Sequence, residues 1–327
     1  MSLLEVKNLH VEFPTRRGVL KALRDVNFTL DKGERLGIVG ESGAGKSLAA
    51  FAILNLLSKP GRIAQGEILF EGHDLSKMNE QELRSIRGNR ISMIFQDPMM
   101  TLNPVLTVGT QMIETLQAHR NISKKEARLI AIDRLNEVRI PSAEERLESY
   151  PHELSGGMRQ RVVIAIALLT EPSLIIADEP TTALDVTIQA EIMSLMLDLC
   201  KMHNVGLILI THDLAVVSQV TQQVIVMYAG RIAEKGATKD VIQNPRHPYT
   251  HGLMHALPQQ NSAGKRLYQI PGSMPTLDAM PQGCSFNPRC EYVSERCCLE
   301  VPDLQDLNGH LVRCYKAKEL RENGSLT

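Results

Sequence analysis

The sequence predicts an α/β fold that ends in a small cysteine-rich extension, and three observations support this prediction. First, an apolar strand pattern, ERLGIVG at 34–40, runs into a glycine-rich loop and then into an apolar helix pattern at 47–57. Second, two further strand patterns, SLIIAD and VGLILIT, flank a helical pattern at 188–203, and such alternation is typical of α/β folds. Third, Pro, Gly and Cys become frequent after residue 258, which predicts a domain at 1–258 and an extension at 259–327.

The remaining elements follow in order along the chain. Alternating apolar residues predict strands at 3–13, 19–30 and 66–72. A short apolar run, ISMIFQD, ends in polar residues, and the pattern from about 99 to 169 is helical, as in SKKEARLIAIDRLNEV. Before the extension, QVIVMYAGRIAEKG predicts a hairpin of two strands.

Composition excludes several classes of protein. The chain contains 36 Lys and Arg against 37 Asp and Glu, so its formal net charge of −1 provides no basic field for nucleic acid or anionic lipid. Aromatic residues are only 4% and Trp is absent, so aromatic platforms for nucleobases are scarce. No apolar run approaches the roughly 18 residues of a membrane span, and the N-terminal residues lack a secretion-signal pattern. We therefore expect a cytosolic protein that binds no nucleic acid.

The glycine-rich loop GESGAGKS at 40–47 predicts a site for nucleotide phosphates. It fits the pattern G-x-x-x-x-G-K-[ST] between a strand and a helix, which is the setting that this motif requires. The glycines let backbone N–H groups converge on phosphate oxygens, and the helix N-terminus adds partial positive charge. Lys46 supplies a cation to the β- and γ-phosphates, and Ser47 supplies a hydroxyl to Mg²⁺. The predicted nucleotide-binding residues of this loop are Gly40, Ser42, Gly43, Gly45, Lys46 and Ser47. ATP is favoured over GTP because no guanine-reading Asn-Lys-x-Asp element is present.

The apolar strand pattern in SLIIADEP ends in two adjacent carboxylates, Asp178 and Glu179. Asp178 at the end of the strand is suited to hold Mg²⁺ through its water shell. Glu179 is suited to orient or deprotonate an attacking water molecule. A strand that merely ends in a polar turn is the alternative interpretation, and the phosphate loop upstream favours the catalytic one.

A second anion-binding helix start, ELSGGMRQR at 153–161, lies far along the chain from the first. Ser155, Gly156 and Gly157 offer a hydroxyl, backbone N–H groups and the positive end of a helix to a γ-phosphate. An ordinary helix capped by Ser155 is the alternative interpretation of the same residues.

Six motifs in order, GESGAGKS, FQDP, LSGGMRQR, LIIADEP, TALD and ITHD, resemble the ATPase subunits of ATP-binding-cassette (ABC) transporters over roughly 3–258. The resemblance implies a RecA-like P-loop core, an antiparallel β subdomain and an α-helical subdomain. It also implies that two ATPase subunits pack head to tail, so that the LSGGMRQR signature of each closes on the ATP held by the other. Each of the two anion-binding loops is then half of a different site.

The resemblance assigns roles to further residues. Gln96 in FQDP senses Mg²⁺ and the attacking water, and His212 in ITHD holds the γ-phosphate and the water. Asp185 in TALD lies across the dimer interface. Phe13 stands where an aromatic side chain stacks on adenine, although Tyr is commoner there and a core phenylalanine is the alternative. Thr182 stands where the family more often has Ser. The catalytic residues implied are Glu179, His212 and Gln96, and the Mg²⁺ ligands implied are Ser47, Gln96 and Asp178.

Three segments resemble the peptide and nickel importer branch, most closely its dipeptide and oligopeptide importers: FQDPMMTLNPVLTVG, NPRHPYTHGLMHALP and GCSFNPRCEYVSERC. This resemblance implies a second, usually paralogous ATPase subunit, two transmembrane permease subunits and an extracytoplasmic substrate-binding protein as partners. The chain would then lie peripherally on the cytoplasmic side of the inner membrane. We expect Met99 and Met100 to contact a permease, with burial in the core as the alternative. An importer of the same branch for nickel or another small solute, and a soluble non-transport ABC ATPase, are the alternative functions.

Five of the six cysteines lie between 284 and 314. Disulfides are unusual in the cytosol, so Cys284, Cys290, Cys297 and Cys314 together predict a metal centre that organises the extension. Zinc usually prefers shorter C-x₂₋₄-C spacings, so the long gaps favour a [4Fe–4S] cluster over Zn²⁺, and some peptide-importer extensions carry such a cluster. Cys298 is an alternative to Cys297, and thiols without metal are the alternative to the whole centre. Because these cysteines lie outside the six ATPase motifs, we expect the centre to stabilise the extension or its docking rather than to serve hydrolysis.

Overall fold

The structure is a computed structural model that describes residues 2–182, 184–256 and 268–322. The described chain divides into two compact units. Unit 1 comprises Asp31–Glu34 and Lys77–Leu209, and unit 2 comprises Ser2–Leu30, Arg35–Ser76 and the described residues from Ile210 onward. The domain boundary predicted after residue 258 falls in 257–267, outside the described residues.

The strands, in chain order, are β1 (Ser2–Thr15), β2 (Gly18–Asp31), β3 (Arg35–Val39), β4 (Arg62–Phe70), β5 (His73–Asp74), β6 (Ile91–Ile94), β7 (Leu174–Asp178), β8 (Gly206–Thr211), β9 (Gln223–Tyr228), β10 (Arg231–Ala237), β11 (Gln305–Asp306) and β12 (Leu311–Val312). The α-helices are α1 (Lys46–Ile53), α2 (Glu80–Ile86), α3 (Pro98–Thr101), α4 (Val108–His119), α5 (Lys124–Glu137), α6 (Ala143–Arg146), α7 (Gly156–Leu168), α8 (Val186–His203), α9 (Leu214–Val220), α10 (Thr238–Gln243), α11 (Pro248–His255), α12 (Glu295–Leu299) and α13 (Ala317–Glu322).

An antiparallel sheet in unit 2 has the strand order β2-β1-β4-β5. Leu4 lies opposite Phe70 and Val6 opposite Ile68, and all four side chains are buried. Because successive side chains of a strand point to opposite faces, the alternating apolar residues of β1 and β4 cover one face of this sheet. The strands predicted at 3–13, 19–30 and 66–72 are confirmed.

The second set of strands in unit 2 has the order β11-β12-β10-β9-β3. β3 runs parallel to β9, with Ile38 opposite Ile225, and β9 and β10 form the predicted antiparallel hairpin. The extension contributes β12, in which Val312 pairs with Glu234 of β10. Regular strands in the extension were not predicted, because two-residue strands carry no periodic signal.

Unit 1 contains the parallel strands β6 and β7 and the helices α2 to α8. Every residue of β7 is buried, which is typical of a parallel strand covered on both faces. Ser123 caps α5 by accepting from the N–H of Glu126, so this helix begins where the sequence predicts. Within the part of the chain that the structure describes, no helix combines the length and the apolar character that a membrane crossing requires.

Candidate functional site

The loop at 40–47 joins β3 to α1, and three of its residues need to be glycine. The backbone angle φ is +154° at Gly40, +83° at Gly43 and +102° at Gly45. A Cβ atom at Gly40 would lie 2.4 Å from the carbonyl oxygen of Met227. Side chains disfavour these conformations and would block this close approach. The compact loop that a phosphate site requires therefore depends on these glycines.

Lys46 is the first residue of α1, and its ammonium group lies over the loop. Its Nζ donates to the carbonyl oxygens of Gly40 at 2.8 Å and Glu41 at 3.1 Å, and the residue is only 6% exposed. The N-cap residue is Gly45, so no capping side chain competes with an anion for the first turn of the helix. Ser47 is the next residue of α1 and is partly buried. A phosphate at this loop would meet a cation, a helix N-terminus and a hydroxyl group.

In unit 1, three side chains meet just after the buried strand β7. Asp178 is 7% exposed at the end of this strand, and Glu179 follows with a positive φ of 45°. The Glu179 Oε2 atom accepts from Gln96 Nε2 at 3.1 Å and from Thr182 Oγ1 at 3.0 Å. The carboxylate is therefore fixed from two sides, as expected for a group that orients a water molecule.

The hydrogen bond from Thr182 is a contact that the sequence analysis missed. The family resemblance marks Thr182 only as a departure from the commoner Ser. Its hydroxyl also donates to the Glu179 carbonyl oxygen at 3.2 Å. The sequence could have indicated this contact, because Thr182 lies three residues after Glu179. In a turn, a hydroxyl at that spacing reaches back to the earlier side chain.

The signature stretch forms the exposed start of α7. The Ser155 Oγ atom accepts from the N–H of Met158 at 3.3 Å, so this residue is the N-cap of the helix. Ser155 and Gly156 are exposed, whereas Gly157 is buried. A Cβ atom at Gly157 would lie 3.0 Å from Ile188 Cγ2 of α8, so this glycine serves packing as well. Capping and anion binding are compatible here, because the cap occupies only one of the N–H groups of the first turn.

Three further predicted residues lie at the ends of elements. Asp185 is the exposed N-cap residue of α8, without a side-chain cap bond, and His212 is exposed directly after β8. Phe13 is partly buried on β1, where a Cβ atom at Gly61 would lie 2.6 Å from its ring. Phe13, His212 and the loop 40–47 belong to unit 2, and the other predicted nucleotide and Mg²⁺ residues belong to unit 1.

The four predicted cysteine ligands line one cavity in unit 2. Cys284, Cys290, Cys297 and Cys314 all face this space, together with Phe286 and Tyr292. Cys297 is buried and Cys298 is exposed, so Cys297 is the member of this pair that faces the other thiols. Burial raises the pKa of the Cys290 thiol to about 11 and that of the Cys314 thiol to about 12. None of the six cysteines is in a disulfide.

The four thiols share a cavity but do not have the arrangement of the predicted metal centre. Across residues 2–182, 184–256 and 268–322, no group of three or more His, Cys, Asp or Glu side chains has an arrangement that would hold a metal ion. Four cysteine sulfur atoms around one cavity are the right type of ligand for a zinc or iron–sulfur centre. The side-chain positions themselves do not form the predicted site.

Residues 23–182 match the family model described as ABC transporter, and residues 233–297 match the model described as oligopeptide/dipeptide transporter, C-terminal region. Among solved structures, the chain is similar to a dimeric, post-hydrolysis structure of the ATP-binding cassette MJ0796 bound to ADP and Pi. That likeness has 28% identity and a TM-score of 0.64, and it covers 72% of this chain and 98% of the other. The mixed α/β cassette fold predicted from the six motifs is therefore confirmed.

Curated relatives extend the match over the whole chain. The oligopeptide transport ATP-binding protein OppD of Haemophilus influenzae is 49% identical over 97% of this chain and 98% of its own length. OppD of Escherichia coli is also 49% identical, over 97% and 94%. AppD of Bacillus subtilis, another oligopeptide transport ATP-binding protein, is 48% identical over 97% and 98%. Two family models and these full-length relatives agree, and the chain belongs to the ABC transporter ATPases, in the branch of the oligopeptide transport ATP-binding proteins.

Proposed function

We propose that this chain is the ATP-hydrolysing subunit of an importer that takes up di- and oligopeptides through membrane partner subunits. The observation that carries the proposal is the fixed Glu179 carboxylate, held by Gln96 and Thr182 directly after a buried strand. The names of the full-length relatives support peptides as the solute. They do not favour the alternatives, nickel import or a soluble non-transport ATPase.

The residues divide the chemistry as follows. The loop 40–47 and Lys46 would bind the ATP phosphates, and the oxygen atoms of Ser47, Gln96 and Asp178 would hold Mg²⁺. A bound Mg²⁺ would supply positive charge that offsets the charge of the phosphates. Glu179 orients and deprotonates the attacking water, and His212 donates to the γ-phosphate. Phe13 stacks on adenine in this proposal, and its partly buried ring supports either that role or packing.

We further propose that the signature residues serve the ATP of a second ATPase subunit. The exposure of Ser155 and Gly156 supports this arrangement, since a loop that binds a partner's nucleotide needs to lie at the surface. Asp185 is likewise exposed, as an interface residue would be. A similar cassette, MJ0796, has been solved as a dimer. The second subunit is a paralogous ATPase in this proposal.

Two permease subunits and an extracytoplasmic substrate-binding protein complete the proposed complex, with this chain on the cytoplasmic side of the inner membrane. Met99 is 43% exposed, Met100 is 85% exposed and Val105 is 75% exposed. This exposure contradicts the alternative that the two methionines belong to the core. Flexible thioether side chains adapt well to a mobile apolar contact, so this segment suits a permease.

The test is purification of the tagged full-length chain from membranes, followed by measurement of ATP hydrolysis with and without peptide. We expect two polytopic proteins and a second ATPase to co-purify, and peptide with the binding protein to stimulate hydrolysis. Co-purification with ribosomes or DNA-associated proteins, without polytopic partners, would contradict the proposal. Stimulation by nickel instead of peptide would contradict the choice of solute.

We also propose that Cys284, Cys290, Cys297 and Cys314 bind a metal centre, a [4Fe–4S] cluster rather than Zn²⁺. The cavity that the four cysteines share supports the proposal. Because the described residues do not already form a metal-binding group, the cysteine side chains would have to rotate when the metal binds. Anaerobic purification should give a brown protein that absorbs near ~400 nm. Colourless protein with one zinc per chain would favour zinc, and protein without metal would refute the centre.

A further inference from the structure

Glu41, the second residue of the phosphate loop, is held by two residues from the C-terminal part of the chain. Its carboxylate accepts from Arg289 Nη1 at 2.7 Å and from Arg289 Nη2 at 3.0 Å, a bidentate pair. Its backbone N–H donates to the Tyr249 hydroxyl oxygen at 2.8 Å. The loop is therefore fastened through both the side chain and the main chain of one residue.

Arg289 is itself rigidly placed. Its side chain is 3% exposed, and its Nε donates to the Pro271 carbonyl oxygen at 2.7 Å. Its guanidinium carbon lies 5.8 Å from the centroid of the Tyr228 ring and 6.0 Å from that of Phe286. A guanidinium group is charged at every physiological pH. Arg289 is therefore a buried cation that is held in one orientation towards Glu41.

Tyr249 is equally constrained. It is fully buried in α11, and its ring packs edge-on against Tyr228 with centroids 4.7 Å apart. Phe286 lies against both rings, at 5.1 Å and 5.5 Å. Burial raises the pKa of the Tyr249 phenol, so the hydroxyl is neutral. The rings of Tyr228 and Phe286 thus hold the Tyr249 hydroxyl, the acceptor for the Glu41 N–H, in one place.

These contacts reach the phosphate-binding lysine in one further step. The carbonyl oxygen of Glu41 accepts from Lys46 Nζ, so the residue that Arg289 holds also contacts the ammonium group that binds phosphate. A carboxylate in a phosphate loop repels the triphosphate unless its charge is compensated. Arg289 supplies that compensation and fixes the Glu41 backbone at the same time.

We infer that Arg289 and Tyr249 are positioning residues for the phosphate loop, and Arg289 makes the C-terminal extension part of the ATP site. This inference rests on the proposed function and deepens it. The extension and the ATP site are linked by a pair whose members lie 248 residues apart in the chain.

The experiment measures ATP affinity and steady-state hydrolysis of the full-length chain with Arg289→Gln, Glu41→Gln and the double variant. For Arg289→Gln we expect the Kd and the KM for ATP to rise about 10- to 100-fold, the effect of losing a charged hydrogen-bonded pair, while kcat at saturating ATP stays within about threefold. Glu41→Gln combined with Arg289→Gln should recover most of the lost affinity, because the uncompensated carboxylate is gone. A simple loss of packing would show no such recovery.

The matched control is Arg296→Gln, which removes an exposed arginine paired with Glu300 in the same extension. We expect its ATP affinity to equal that of the wild type. Thermal unfolding confirms that each variant is folded. If Arg289→Gln does not fold, Arg289→Lys and Tyr249→Phe replace it in the experiment. For these two variants we expect the Kd for ATP to rise by less than the roughly 10- to 100-fold expected for Arg289→Gln.

Two results would overturn the inference: wild-type ATP affinity in folded Arg289→Gln and Tyr249→Phe, or no recovery in the double variant. A failure of the proposed function would be distinguishable from both results, because the wild-type chain itself would then neither bind nor hydrolyse ATP.

Discussion

The two helix starts that are predicted to bind anions are built in opposite ways. The loop before α1 is closed by glycines with positive φ, a lysine that is 6% exposed, and contacts from residues far away in the sequence. The start of α7 is a simple cap by Ser155, and both Ser155 and Gly156 are exposed. The first is held in a compact conformation by contacts within its own unit, as a predicted phosphate loop requires. The second has the form of a surface that becomes part of a site only when a partner meets it.

Loss of the candidate base gives the largest expected effect. Glu179→Gln should lower the rate of ATP hydrolysis by about 10²- to 10⁴-fold, because the amide cannot accept the proton of the attacking water. ATP binding should persist, since the phosphate loop is unchanged. Steady-state hydrolysis and equilibrium ATP binding check both statements. Near-native turnover would remove Glu179 from the role of base.

Substituting one residue in each helix start tests whether the first binds the ATP of its own chain and the second serves the ATP of a partner. Lys46→Ala should weaken ATP binding by about 10- to 100-fold, because a charge-assisted contact to phosphate is lost. Ser155→Arg should leave ATP binding to the same chain within about threefold of wild type while stopping hydrolysis at the partner's site.

Mixing the Lys46→Ala chain with the Ser155→Arg chain sharpens this test. In a head-to-tail dimer one site then carries both defects and the other carries none, so hydrolysis should recover in part. If Ser155→Arg abolished ATP binding to its own chain, the two helix starts would belong to one site. Where the natural partner is a paralogous ATPase, the mixture needs that subunit.

A smaller effect is expected from the residue that holds the candidate base. Thr182→Val removes the hydroxyl that donates to Glu179 Oε2, so this oxygen keeps the hydrogen bond from Gln96 but loses the one from Thr182. Hydrolysis should fall by roughly tenfold, less than loss of the base itself. Thr182→Ser keeps the hydroxyl and serves as the control with near-native rate. Equal rates for Val and Ser would show that this hydrogen bond does not contribute.

The smallest effect on ATP hydrolysis is expected at the exposed methionines. Met99→Asp with Met100→Asp places charge on surface side chains of α3, so hydrolysis by the isolated chain should stay within about twofold. Peptide uptake in the assembled transporter should be lost, because the charges oppose an apolar contact with the permease. Transport assays in vesicles check this. Loss of hydrolysis by the isolated chain would indicate a structural role instead.

Sequence alone determined those parts of the protein that depend on neighbours along the chain. The glycine positions of 40–47 follow from the motif, since close backbone approach needs glycine at fixed spacing. The start of α5 after Ser123 and the β9–β10 hairpin follow from local capping and alternation. Motif order was enough to predict the family and the cassette fold.

Tertiary structure alone decided which side chains meet across long separations. It showed that Cys297 faces the shared cavity and Cys298 does not, and that Met99 and Met100 are exposed. The pairing of Arg289 with Glu41 has no periodic or motif signal, because it joins an aperiodic segment to a loop 248 residues away. Local sequence specifies backbone conformation and caps through short-range sterics and hydrogen bonds. The partners of a buried charge are specified only when the folded chain brings its distant segments together.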